Sequence, residues 1–99
     1  MKVSNAREII KKGQEKTGMD NPITMVVLSN GTLYIDNVQR IYLNSFSKKW
    51  CIQLGEDKGG KNMSYSINSI AVMRCLTAED MLTAGIKLIS MAKEIIYNK

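Results

Sequence analysis

The stretch Ile23-Thr24-Met25-Val26-Val27-Leu28-Ser29-Asn30-Gly31-Thr32-Leu33-Tyr34-Ile35 decides the fold. Two runs rich in β-branched and large apolar residues flank Asn30-Gly31. That dipeptide tolerates positive φ and suits the two-residue type I′ turn of a tight hairpin. Such a turn predicts a register with Leu28 opposite Leu33, Val27 opposite Tyr34 and Val26 opposite Ile35. One face then carries Val26, Leu28, Leu33 and Ile35, and the other carries Ile23, Met25, Val27 and Tyr34. Both faces are apolar, so the strand pair needs cover on two sides.

Cover is offered from both flanks. Downstream, residues 77–97 repeat in sevens, with small residues at Ala78, Gly85 and Ala92 and apolar pairs at Met81/Leu82, Leu88/Ile89 and Ile95/Ile96. Spacings of three and four put these on one helix face. Thr77 and Asp80 mark the start, a hydroxyl for an orphan N–H and an acid at the positive end of the dipole. Upstream, Ser4 is placed to cap a helix running to about Thr17, with Gly18 as its left-handed stop. Its apolar positions Ala6, Ile9, Ile10 and Gly13 repeat the small–apolar pair–small pattern of residues 78–85, which predicts two helices with matching grooves. Arg7, Lys11, Lys12, Glu15 and Lys16 read as its solvated face.

Between the helices, Asn21-Pro22 is a breaker. Beyond the hairpin, strands are predicted at Val38–Leu43, Trp50–Leu54, Asn62–Ile67 and Ile70–Cys75, the third alternating Met63, Tyr65 and Ile67 against Ser64 and Ser66. Turn-rich links fall at Asp36-Asn37, Phe46–Lys49, Gly55–Lys61 and Asn68-Ser69. The architecture this implies is α+β in one domain over residues 1–99. It has an N-terminal helix at 4–17, an antiparallel meander of five or six strands within 23–75, and a long C-terminal helix at 77–97 packed on the sheet. The alternative is a small SH3/Sm-like β-barrel with flanking helices. The order of a helix, the strand ending Val26-Val27-Leu28-Ser29-Asn30-Gly31 and then further short strands loosely resembles Sm-like proteins. In that family an initial helix precedes five strands and ring-forming assemblies bind RNA. The stretch after Gly31 departs from the family, lacking its second glycine and its spaced Asp/Asn pattern.

Composition narrows the function classes. The 99 residues are 44% apolar with a net charge of +5, which suits one globular core and permits an anionic partner without demanding one. There is no histidine, which removes the commonest general base and the commonest metal ligand. Cys51 and Cys75 lie in strand-like segments and read as reduced, buried thiols. No signal-like run and no stretch of about 18 apolar residues occurs, so the expectation is a cytoplasmic protein with no membrane partner.

Three stretches are candidate sites. With Tyr34 placed on the sheet face opposite the helices, that face would gather Tyr34, Arg40, Tyr42, Cys51, Gln53, Ser64 and Ser66, with Arg74 nearby. Tyrosines stack bases and guanidinium grips phosphate. Met25 and Val27 on the same side point instead to self-association, together with Ala78, Gly85, Leu88 and Ala92 of the small-residue stripe. The loop Lys58-Gly59-Gly60-Lys61 offers backbone N–H groups and two cations to an anion, though its glycine spacing is not that of a P-loop. The basic turn Phe46-Ser47-Lys48-Lys49-Trp50 is bracketed by aromatics, with Trp50 expected in the core. The acids Glu56/Asp57 and Glu79/Asp80 have no nucleophile or base partner, so no catalytic residue, cofactor or metal is assigned.

The functional expectation is a small non-enzymatic binding protein, of the kind a phage or mobile element carries as an accessory. It would capture a nucleotide signal or nucleic acid to counter or regulate a host system. The alternative is a protein–protein module, an inhibitor of a host protein target or a homo-oligomer scaffold, built on the apolar sheet face and the helix stripe.

Overall fold

The structure is a computed structural model that describes residues 1–55 and 63–97. Helix α1 (Val3–Thr17) leads into strands β1 (Ile23–Leu28), β2 (Leu33–Leu43), β3 (Trp50–Leu54) and β4 (Met63–Ser66). A 3₁₀ turn (Ile67–Ser69), strand β5 (Ile70–Cys75) and helix α2 (Ala78–Tyr97) complete the chain. The five strands form one antiparallel sheet in the order β4-β3-β2-β1-β5. The fold is therefore α+β with an open sheet, and β4 and β5 are its edges. The barrel alternative does not apply.

The hairpin forms where expected but turns differently. Val27 pairs with Leu33, Val26 with Tyr34 and Met25 with Ile35, one residue away from the type I′ register. A type I′ turn needs positive φ at both central residues, and only Gly31 has it, at 88°. The Gly31 N–H donates to Leu28 O at 2.9 Å, Leu28 N–H to Thr32 O at 2.9 Å, and Thr32 N–H to the Asn30 side chain at 3.0 Å. The loop is thus three residues long with a left-handed glycine at its end. A slip of one residue exchanges the faces of one strand. Tyr34 therefore joins Thr24, Val26 and Leu28 on the core side, while Leu33 and Ile35 join Met25 and Val27 outside.

Strand β2 is continuous through Asp36-Asn37, where a turn was expected. Asn37 is used to hold the chain entering β1: its amide donates to Asn21 O, and the Asn21 amide donates to Val38 O, both at 2.8 Å. A bulge between Val38 and Arg40 then shifts the register with β3, setting Ile41 against Ile52 and Tyr42 against Cys51.

The core lies under α1. Val26, Val38, Ile52, Leu54, Ile67, Ile70 and Met73 are buried together with Ala6 of the helix, and Ile9, Ile10 and Val3 close the layer. Each fully buried aliphatic side chain contributes roughly 1.5–3 kcal/mol. Ser4 does not cap α1. The helix begins at Val3 with Lys2 before it and no side-chain cap, and it ends at Gly18 with φ 71° as expected. The small side of α1 packs on β5 and not on a second helix. Gly13 is buried against Cys75, and the Cys75 thiol reaches Ile9 O at 3.6 Å. Cys51 and Cys75 are both free thiols, but only Cys51 is buried as expected, Cys75 being partly exposed.

Helix α2 overturns one expectation: it buries no residue and does not cover the sheet. Its cap is as read, with Asp80 N–H donating to Thr77 Oγ1 at 3.1 Å and Thr77 N–H to the Asp80 carboxylate at 2.9 Å. Beyond that first turn its apolar stripe faces outward.

A β-carbon added at Gly13 would lie 2.5 Å from the Cys75 sulfur and 2.6 Å from its β-carbon. Overpacking of this kind costs typically 1–3 kcal/mol, against a helix-propensity gain of at most about 1 kcal/mol. Gly13→Ala is therefore expected to lower stability in urea denaturation. Adding Cys75→Ala should recover only part of the loss, because the β-carbon clash remains.

Candidate functional site

On the outer face of β2, β3 and β4, four of the expected ligand residues do meet. The Arg40 guanidinium lies 4.3 Å from the centre of the Tyr42 ring, and its Nε donates to Gln53 Oε1 at 2.9 Å. The Tyr42 hydroxyl bonds Ser64 Oγ at 2.8 Å. Ser66 follows in register beside Cys51. The arrangement is flat and exposed. It holds one guanidinium on an aromatic ring, a geometry worth ~0.5–1 kcal/mol at the surface.

The other residues of that set go elsewhere. Tyr34 lies on the core side, its ring stacked on Tyr65 at 4.3 Å between centroids. Desolvation pushes the Tyr65 phenol above its ordinary value, and Tyr34 and Asp36 add to the shift. Arg74 is on the outer face but at the opposite edge strand, opposite Met25, and is ion-paired to Asp80 at 3.1 Å. Lys58 and Lys61 lie outside the described residues.

A cleft of about 280 Å³ that the sequence did not announce opens between α1 and β2, lined by Arg7, Ile10, Lys11, Gln14, Asp20 and Val38–Ile41. Of its cations, Arg7 and Lys11 belong to the α1 face read as merely solvated, and Arg40 comes from β2. The bulge that shapes its floor has no glycine to betray it. Nearby, Trp50 is not a core residue. It is 38% exposed, with the Arg7 guanidinium 5.2 Å from its ring. The turn before it is held by Asn44, whose side chain accepts the Phe46 and Ser47 N–H groups. Phe46 projects from that turn, 97% exposed. Among the described residues no group of three or more Cys, Asp or Glu side chains could hold a metal ion.

Exposed large apolar residues concentrate on α2 and on the outer face of β1, β2 and β5. On α2, Leu82, Leu88 and Ile96 are each about two-thirds exposed. On the sheet, Leu33, Ile35 and Val72 are exposed beside half-buried Met25 and Val27. The Arg74–Asp80 pair joins the two areas, because it starts α2 at the border of the sheet patch. The whole chain exposes 7206 Å², roughly 1,500 Å² more than surface–mass scaling gives a compact monomer of 11.1 kDa. Its radius of gyration, 15.6 Å, exceeds the ~12.6 Å of a compact domain of this length. No helix among the described residues is long and apolar enough to cross a membrane. No family model, curated protein or solved structure matches the chain.

The cap of α2 makes its order sensitive to pH. The Thr77 amide donated to Asp80 holds that carboxyl below its usual range, and Arg74 adds to the effect. A lowered folded-state value means a contribution fully present above the ordinary carboxylate value and lost as the pH falls below it, through the lowered folded-state value. Far-UV circular dichroism should therefore show α2 helicity declining between about pH 5 and about pH 2. Asp80→Asn should start lower and lack that step.

Proposed function

We propose that this chain is a non-enzymatic protein–protein interaction module in which α2 and the apolar outer sheet face are covered by a protein partner. The observation that carries this reading is the apolar stripe of α2, which is exposed over most of its length among the described residues. An isolated helix of such composition has no other source of lasting order than packing of its apolar face. Large exposed apolar surfaces on soluble domains mark interaction sites. The test is Leu82→Glu/Ile89→Glu/Ile96→Glu. Wild-type protein should sediment above its monomer mass wherever its partner is present, and the variant at it. The melting of the α1–sheet body should change by less than ~0.5 kcal/mol. A drop of several kcal/mol in the body would mean that α2 packs on its own sheet, and would overturn the reading.

A second reading is favoured by the Arg40–Tyr42 stack with Gln53 and Ser64: capture of an anionic ligand, a nucleotide or nucleic acid, on the outer face of β2–β4. Guanidinium grips phosphate in bidentate fashion and an aromatic ring accepts a stacked base. A nucleotide at a hundredfold its dissociation constant would stabilise the fold by about 2.7 kcal/mol. Arg40→Ala is expected to abolish any such thermal shift while lowering the unliganded melting point by only a few degrees, through loss of the stack.

A further inference from the structure

The α2 stripe has a size pattern that specifies its own partner. Small and large residues alternate along the seam: Ala78, Met81, Gly85, Leu88, Ala92, Ile95. In an antiparallel pair of identical helices, positions approach in reverse order. Ala78 then meets Ile95 of the other copy, Met81 meets Ala92, and Gly85 meets Leu88. Every layer sets a small residue against a large one. In a parallel pair the same seam stacks Gly on Gly and Leu on Leu, leaving gaps in some layers and crowding in others. Interiors pack to near-crystalline density, so only the first arrangement closes without voids. The antiparallel sense also opposes the two helix dipoles.

The surroundings of Gly85 add a structural observation to the size pattern. Glycine inside a helix weakens it, and the chain's other helical glycine, Gly13, is explained by the Cys75 side chain pressed against it. At Gly85 an added β-carbon would meet nothing within 4 Å. Nothing among the described residues requires a glycine there, whereas close approach of a large side chain from outside would. Met81, Leu88 and Ile95 of this seam are 38%, 66% and 64% exposed, with Leu82, Ile89 and Ile96 beside them at 67%, 59% and 66%. The apolar surface open to a partner therefore lies on α2 itself, where a stable interface takes ~800 Å² per partner.

We infer that the partner of α2 is a second copy of this chain, paired antiparallel about a two-fold axis between Gly85 and Leu88. This rests on the interaction-module reading and adds to it the identity and direction of the partner. The experiment mixes chains carrying Ala78→Cys with chains carrying Ile95→Cys and oxidises them mildly, with the wild-type chain as control for its own thiols. The expected product is the mixed 78–95 disulfide dimer, in at least tenfold excess over 78–78 and 95–95 dimers. Positions 78 and 78 of an antiparallel pair stand about 25 Å apart. Predominance of the like-with-like dimers would overturn the antiparallel geometry and leave the interaction module standing. Monomers without cross-links, from a chain whose helicity is intact, would overturn self-pairing altogether. Gly85→Leu improves helix propensity yet fills the seam, so its dimer should dissociate at least tenfold more readily. An unchanged constant would equally overturn the proposal.

Discussion

The left-handed backbone at Gly31 is the constraint on which the rest of the molecule depends. By accepting positive φ at the last place of a three-residue loop, it sets β1 against β2 one residue away from the two-residue alternative. Side chains alternate across a strand with period two, so this single step decides which apolar set each face receives. Val26 and Tyr34 turn toward α1, while Met25, Val27, Leu33 and Ile35 gather on the outside. The outer face is more apolar than the expected register would have made it, because a tyrosine leaves and two aliphatic residues arrive.

From that division the layering follows. One helix is close enough to cover one face, and it is α1, drawn onto β5 by the absence of a side chain at Gly13. Helix α2 begins beside the same strand, held by the reciprocal Thr77–Asp80 bonds and by Arg74. These contacts fix its start and nothing beyond it. The molecule therefore has two very different helices: one whose small residues are filled by the sheet, and one whose small residues face open space. A chain with this much apolar surface outside its core carries a strong hydrophobic drive toward association.

The polar part of the sheet shows how position alters meaning. Arg40, Tyr42, Gln53 and Ser64 bond to one another on the outer face of β2–β4. Arg74, of the same chemistry, is spent on the helix start. The bulge after Val38 separates the two environments. On one side of it the outer face is aliphatic, and on the other it is a hydrogen-bonded polar surface.

How much of this was legible in the chain itself depends on the range of the interaction concerned. The stop at Gly18, the Thr77–Asp80 start, the alternation of Met63 and Tyr65 against Ser64 and Ser66, and the α+β class all rest on neighbours within a few residues. Sequence spacing reports such neighbours directly. The hairpin's location was equally legible, but its register was not. Asn-Gly serves more than one loop length, and the choice rests on how both strands meet their other neighbours. The continuity of β2 through Asp36-Asn37 depends on Asn21, and the exposure of Trp50 on Arg7, both distant in sequence. Most of all, the heptad of α2 declared a face that requires burial without declaring what buries it. Periodicity is a property of the segment alone, while cover belongs to whatever lies opposite.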